Sequence, residues 1–329
     1  MDAFAELSRL PPFAGWRRDS LTALAQALRP FEAPLGAQLF RQNDEAHGMH
    51  LLVGGRVAIE SRTLADGVVR LAELGPGDLL GEFQLMDSGR RSAGALVLIP
   101  ACGFTLDRQT FQRLIFVGDS ATAALARHVR GLACTRTRAT LATLAAAPAA
   151  SGEVRAAPES SPSASEDKGE PRHAMLHALH QFQGFAPEDI EQLMAAGAVL
   201  SAPRGAILAH ADAAPEHLWV VMRGAVRLGL QRPDGVEQLL IQGPGKIAGA
   251  VAALDGLNQP ARLDIWEEAI LLALPCAVVQ ALNAADDPGA ARFMDLVGRQ
   301  LAADLRTLSR RQGRQRSLAA LNAREAAYV

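Results

Sequence analysis

A fixed-interval repeat of glycines constrains this chain more than any other feature. Phe13 and Gly15 recur as Phe182 and Gly184, Gly36 as Gly205, and Gly55 as Gly224, all at one shared interval. Asp66-Gly67 recurs as Asp234-Gly235, Gly75-Pro76-Gly77 as Gly243-Pro244-Gly245, and Gly81 as Gly249, all at an interval shorter by a single position. A constant interval with one such slip, placed in a hairpin, marks a duplicated domain, because unrelated glycines do not stay in register over so long a stretch. At 329 residues the chain has room for two copies, each with its own core. Between them, residues 148–172 (PAASGEVRAAPESSPSASEDKGEPR) carry four prolines, much Ser, Ala and Glu, and almost no large apolar side chains. Such a stretch buries too little surface to order itself. It is expected to be a disordered linker dividing a first domain, 1–147, from a second, 173–329.

Within the first copy, from Phe31 to about Leu106, short apolar runs (AQLFRQ, HLLVGGRVAIES, GVVRLAEL, GALVLI) are punctuated at Gly54-Gly55, Asp66-Gly67 and Gly75-Pro76-Gly77. Asp-Gly between alternating apolar runs signals a hairpin, and many short strands with regular turns signal a β-sandwich or jelly roll. Residues 11–29 predict a turn and a short helix capped by Asp19 or Ser20, with Leu21, Leu24 and Leu28 as its apolar stripe. Arg108–Phe116 begins another helix. A longer one runs from Asp119 to about Ala147, with Ala121, Leu125, His128/Val129 and Leu132 on one face. The fold class is therefore mainly β with helices (α+β): two jelly-roll-like units with flanking helices.

Composition excludes several function classes. The formal charge is −2, which gives no global attraction to nucleic acid or anionic membrane, and Lys168 and Lys246 are the only lysines. Cys102, Cys134 and Cys276 are odd in number and far apart. They offer neither a disulfide framework nor a metal signature, as suits a reducing cytoplasm. The N-terminus does not read as a signal peptide, and no apolar run approaches the roughly 20 residues of a membrane span. No paired carboxylates, Ser/His/Asp set or Cys/His set stands in a recognisable motif, so an enzyme is not expected. His47 and His50 lack a third ligand at metal spacing and read as a hairpin's polar face. Gly243–Gly249 lacks the Ser or Thr of a phosphate loop. Arg17-Arg18-Asp19-Ser20 has the form of a kinase site, but a helix start explains the same residues.

The stretch Gly75–Ala93, GPGDLLGEFQLMDSGRRSA, carries the chemistry. Glycine lets backbone approach a ligand, a carboxylate accepts from hydroxyls, and a guanidinium grips phosphate through a planar fork. An acid and an arginine around a small turn suit a ligand with both sugar hydroxyls and a phosphate. The stretch resembles the phosphate-binding cassette of cyclic-nucleotide-binding domains, as in catabolite-activator-type regulators and the regulatory subunits of cyclic-AMP-dependent kinase. The resemblance covers roughly residues 11–140 and again 178–310. It implies a helix, an eight-stranded β-roll, a short cassette helix, and two helices of which the last can lid the pocket. It also implies that Gly81 and Glu82 meet the ribose 2′-hydroxyl and that Arg91 holds the exocyclic phosphate with help from Ser92. Phe83 and Ala93 complete the cassette, and Val69 and Leu71 pack against the base. Thr135, Arg136 or Thr137 would offer polar contacts from the lid helix.

The second copy departs from that pattern. One repeat after Glu82 stands Ala250, one repeat after Arg91 stands Gln259, and Pro260 replaces Ser92. Losing a charge-assisted hydrogen bond costs about 1.5–3 kcal/mol, so this copy is expected to be degenerate. After Asp287–Leu308 the remaining residues leave no room for a helix-turn-helix. The apolar series Met294, Val297, Leu301, Leu305 and Leu308 suits either packing on its own β-roll or a homodimer seam. Arg299, Arg306, Arg310, Arg311, Arg314 and Arg316 read as a solvated helix face. The expectation is a bacterial cytoplasmic receptor for cyclic AMP or cyclic GMP, binding in its first domain and signalling to a separate effector protein. A homodimer is expected, with no DNA, no membrane span, no metal and no cofactor beyond the ligand. The alternatives are a scaffold protein with vestigial binding, or a cyclic-dinucleotide receptor.

Overall fold

A computed structural model describes residues 2–62, 67–87, 89–116, 120–149, 154–155, 165–166, 173–285 and 287–326. The chain forms two compact units, one comprising Met1–Val129 with Ser309–Val329, the other Arg130–Leu308.

In the first unit, α1 (Ala3–Leu7) is capped by the Asp2 carboxylate, which accepts from the Phe4 N–H at 3.0 Å. A 3-10 turn at Pro11–Phe13 leads to α2 (Arg18–Ala27). Leu21, Leu24 and Leu28 are buried as the spacing predicts. Arg17, not Asp19 or Ser20, is the N-cap residue. Asp19 lies in the first turn, where the helix dipole favours an acid, and Ser20 is buried. The strands are β1 (Arg29–Ala33), β2 (Gln38–Phe40), β3 (Gly48–Arg62), β4 (Val68–Leu74), β5 (Leu79–Leu80) and β6 (Gly94–Asp107). Among the described residues they form an antiparallel sheet in the order β1-β6-β3-β4, with β2 on β6 and β5 on β3. The helices α3 (Phe83–Met86), α4 (Arg108–Phe116) and α5 (Ser120–Ala146) complete this part of the chain.

Gly54-Gly55 is a bend inside one strand, not a turn between two. The β3–β6 register shifts at Leu52/Gly54, Gly54/Arg56 and Arg56/Val57. Gly55 has φ +87°, and a Cβ there would run into the Pro100 carbonyl and Ala101. A corner of this kind lets one long strand wrap the core of Leu52, Val57, Leu80, Ala95 and Val97, and glycine is what permits it.

The second unit repeats the plan. Besides α5 from Arg130 onward it holds β7 (Val154–Arg155), β8 (Ser165–Glu166), α6 (His173–Ala178), α7 (Pro187–Ala196), β9 (Ala198–Ala202) and β10 (Ile207–Ala209). Next come β11 (His217–Arg232), β12 (Gly235–Gln242), β13 (Ile247–Ala248), α8 (Ala250–Asp255), β14 (Arg262–Pro275), α9 (Cys276–Ala284) and α10 (Pro288–Ala326) as far as Leu308. The sheet order is β7-β12-β11-β14-β9-β8, with β10 on β14 and β13 on β11. Its corner glycine, Gly224 (φ +77°), lies against Glu268 and Ala269 as Gly55 lies against Pro100 and Ala101.

Two dipeptides of the segment expected to be a linker are strands. Val154–Arg155 pairs with Val236–Glu237, and Ser165–Glu166 with Leu200–Ser201. An open sheet edge offers backbone N–H and C=O groups to any extended chain, whatever its side chains. Met294, Val297, Leu301, Leu305 and Leu308 are buried, so α10 packs its stripe within the chain. Among the described residues no helix is long and apolar enough to cross a membrane.

Candidate ligand-binding site

The cassette hangs from β3. The Gly77 N–H donates to Leu52 O at 2.8 Å and the Leu52 N–H to Asp78 O at 3.0 Å, after which β5 pairs with His50 and Leu51. Gly81, with φ +68°, then turns the chain into α3.

Arg91 reaches back beneath this turn. Its Nη1 donates to Gly81 O (3.2 Å) and to Gln84 Oε1 (3.0 Å), and its Nη2 donates to Gly48 O (2.7 Å). The guanidinium lies over the Phe40 ring, 4.2 Å from its centroid, and the residue is 5% exposed. The positive φ of Gly81 favours glycine, and a Cβ there would displace the guanidinium from its place beneath the turn. Burial lowers the Arg91 pKa to about 10, with the Glu82 and Asp44 carboxylates opposing the shift. Among the described residues the buried Nε has no hydrogen-bond partner. The Arg91 backbone is fixed by the facing turn: its N–H donates to Asp44 O (3.0 Å) and its carbonyl accepts from the Asn43 N–H (2.9 Å).

His50 packs edge-on against Phe31, with ring centroids 5.1 Å apart, and tilted against Phe40 at 5.9 Å. Burial first, and then the Arg91 charge, lower its pKa to about 4, so a neutral imidazole borders the guanidinium. This packing is a different role from the hairpin polar face the sequence suggests.

The other predicted residues fall as follows. Glu82 is 1% exposed and Ala93 is buried, Phe83 is half-buried, and Ser92 is exposed. Val69 is half-buried and Leu71 is 45% exposed on β4, an end strand of the sheet. Thr135, Arg136 and Thr137 belong to the second unit, where the Thr135 hydroxyl donates to Gly131 O (3.1 Å) and Thr137 is buried. A cavity of about 390 Å³ adjoins the cassette through Asn43 and Asp44, with Arg41, Glu60 and Arg62 on its wall; none of the predicted contact residues lines it.

The second roll keeps the frame of this site and not its contents. The Gly245 N–H donates to Val221 O (2.8 Å), the Gln259 N–H to Ala213 O (2.8 Å), and the Asp212 N–H to Gln259 O (2.9 Å). Asn43 and Asp212 share a positive φ, +71° and +62°. Beneath Gly249, where the first roll holds a guanidinium, lies the Trp219 ring, 2.9 Å from where a Cβ would stand. One repeat on, Phe40, Asp44, Gly48 and His50 are matched by Ala209, Ala213, His217 and Trp219, and Gln84 is matched by Ala252. These surroundings of Arg91 are what motif reading missed, although the repeat interval already exposes their replacement.

A model of the family "Cyclic nucleotide-binding domain" matches residues 30–116, a span within the first β-roll. Among curated proteins, the acetyltransferase Pat of Mycolicibacterium smegmatis is 35% identical over 111 residues, covering 34% of this chain and 33% of that protein. The cyclic AMP receptor protein of Thermus thermophilus is 35% identical over 101 residues, covering 30% of this chain and 47% of its own. The matched stretch thus spans between a third and a half of these relatives. Among solved structures, the regulatory domain of Toxoplasma gondii PKA with cAMP aligns over 87% of this chain and 92% of its own, at 14% identity and a TM-score of 0.32.

Proposed function

We propose that the first β-roll is a receptor for a cyclic mononucleotide, with cyclic AMP as the preferred ligand, and that the second roll binds none. The observation that carries this reading is the paired comparison within one chain. Both rolls keep the backbone frame of the cassette, while Arg91, Glu82 and the residues packed around the guanidinium occur in the first alone. A β-roll needs the frame to fold; the second roll folds without Arg91 and its cradle, so the frame does not require them.

In this reading Arg91 meets the phosphate, Gly81 and Glu82 the ribose hydroxyl, Ser92 the phosphate beside Arg91, and Val69 and Leu71 the base. Phe83 and Ala93 shape the cassette. Thr135, Arg136 and Thr137 are the proposed lid contacts. Phosphate capture would draw Arg91 from Gly48 O and Gln84, loosening the tie between cassette and β3. A ligand shifts such an equilibrium by its differential affinity for the two arrangements. The output is a surface offered to a separate effector protein in the cytoplasm.

Calorimetry on the full chain with cyclic AMP and cyclic GMP tests this. The expected result is one site per chain, tighter for cyclic AMP and abolished in Arg91→Ala. Binding that survives Arg91→Ala refutes the site assignment, and two sites per chain refute the silent second roll.

A further inference from the structure

The C-terminal half of α5 is held by the second β-roll at four points along its length. Arg130 donates from Nε and Nη2 to Asn283 Oδ1 of α9, at 3.0 and 2.7 Å. Arg138 forks onto Asp255, Nε to Oδ2 at 2.6 Å and Nη2 to Oδ1 at 2.7 Å, and also donates to the carbonyls of Asn258 (2.7 Å) and Leu257 (3.1 Å). Leu141 and Leu144, 1% and 0% exposed, pack with Leu230, Leu239, Ala261 and Leu308. Arg232, paired with the buried Glu237, donates to Ala145 O (2.8 Å) and Leu144 O (2.9 Å), in the last turn of the helix.

The place where this helix lies is informative. Asp255 ends α8, and Leu257 and Asn258 lie between α8 and β14; all three belong to the damaged cassette. Leu239 and Ala261 stand one repeat after Leu71 and Ala93. Leu239 is the second copy of a residue proposed to meet the base, and Ala261 of one proposed to shape the cassette. Leu71 is 45% exposed, whereas Leu239, under the helix, is 7% exposed. We infer that the second β-roll has exchanged a nucleotide for a helix: its former pocket is a docking site for residues 130–146 of the same chain, and that segment is a releasable latch regulating the first cassette.

Release has a built-in joint. Gly131 sits inside α5, exposed, with no atom within 4 Å of where its Cβ would stand, so packing does not require glycine there. Glycine inside a helix weakens it, and the Thr135 hydroxyl bonded back to Gly131 O adds to this. The Arg138–Asp255 clamp is about one-fifth exposed on both sides, so water can compete for it. The latch contains Thr135, Arg136 and Thr137, the proposed lid contacts of the first site. While docked, the segment is held by the second roll, and undocking frees it. The regulatory clause rests on the proposed ligand site; the docking clause does not.

Hydrogen exchange read by mass spectrometry on the full chain decides the matter. In Arg138→Ala and in Asp255→Ala, amides of residues 132–146 should exchange about tenfold faster or more, with β11 and β14 unchanged. Gly131→Ala, which adds no contact, should slow exchange around the joint. Calorimetry should show cyclic AMP affinity rising severalfold in the two clamp variants. Unchanged protection of 132–146 in both clamp variants overturns the latch, as does loss of protection there only together with β11 and β14. Faster exchange with unchanged cyclic AMP affinity overturns the regulatory clause. Absence of cyclic AMP binding in the wild type overturns the proposed function and the regulatory clause, while exchange still decides docking.

Discussion

The guanidinium of Arg91 lies over the ring of Phe40, 4.2 Å from its centroid, and the position equivalent to Phe40 in the second roll is Ala209. A desolvated cation over an aromatic face gains about 2 kcal/mol, and three neutral acceptors share its N–H groups. Two carboxylates, Glu82 and Asp44, favour its charged form against desolvation. The first roll therefore holds a buried cation without relying on a single ion pair.

Arg91→Lys tests whether the fork or the charge matters. A lysine ammonium is a compact point charge without a planar fork, so it cannot reproduce this arrangement. Cyclic AMP affinity should fall by about 10–100-fold in calorimetry, as loss of a charge-assisted hydrogen bond requires. Gly48 O and Gln84 Oε1 would also lose donors, so the thermal midpoint of the ligand-free chain should fall. Wild-type affinity in Arg91→Lys would show that the guanidinium is structural.

Restoring the two missing charges to the second roll should not restore a site. In Ala250→Glu with Gln259→Arg, the new guanidinium would meet the Trp219 ring beneath Gly249 and find alanines at the positions of Phe40, Asp44 and Gln84. A buried charge without its partners costs about 3–5 kcal/mol. The expected outcome is one cyclic AMP per chain with a lowered thermal midpoint. A second binding event would mean that the cradle is dispensable.

Much of this was legible in the sequence. The glycines that recur at a constant interval mark the roll corners and the cassette turn, and the replacement of Glu82 and Arg91 marks the altered copy. Even the cradle could be read, since Asp44 and Ala213 stand one repeat apart. The destination of α5 could not. Leu125 and Val129 fall in the first unit and Leu141 and Leu144 in the second, yet one helical period covers them all. Periodicity reports that a face is buried, not which core it meets. Nor could the pairing of Val154–Arg155 be seen, because backbone groups make it.

His50 makes the first unit sensitive to acid. Its folded pKa of about 4 lies below the ordinary 6.5, so the folded state sheds a proton that the unfolded chain holds. The stability is fully present above pH 6.5, declines as pH falls towards 4, and then levels. The amount is at most about 3 kcal/mol. In His50→Gln, which cannot titrate, the difference between urea midpoints at pH 7.5 and pH 5 should shrink. An unchanged difference would assign the acid sensitivity elsewhere.

Asp304 acts in the opposite direction in the second unit. It sits on α10, where its Oδ1 accepts from Gln300 Nε2 (2.7 Å) and its Oδ2 from Gln242 Nε2 (3.0 Å). Burial raises its pKa from 3.8 to about 7, with the two amides and the Lys246 charge opposing. A raised carboxyl binds its proton more tightly in the folded state, so its stability is fully present below pH 3.8 and is lost as pH rises towards 7. Asp304→Asn removes the titration but keeps the shape, and its amide N–H can be received by Gln242 Oε1, which has no partner among the described residues. The thermal midpoint of Asp304→Asn should exceed that of the wild type by about 8–16 °C at pH 8. The difference should shrink steadily as pH falls and vanish below pH 3.8, where the carboxyl is protonated in the folded and the unfolded chain. A variant that gains nothing at pH 8 would show that Asp304 is ionised there at no cost, and that Lys246 and the two amides solvate it fully.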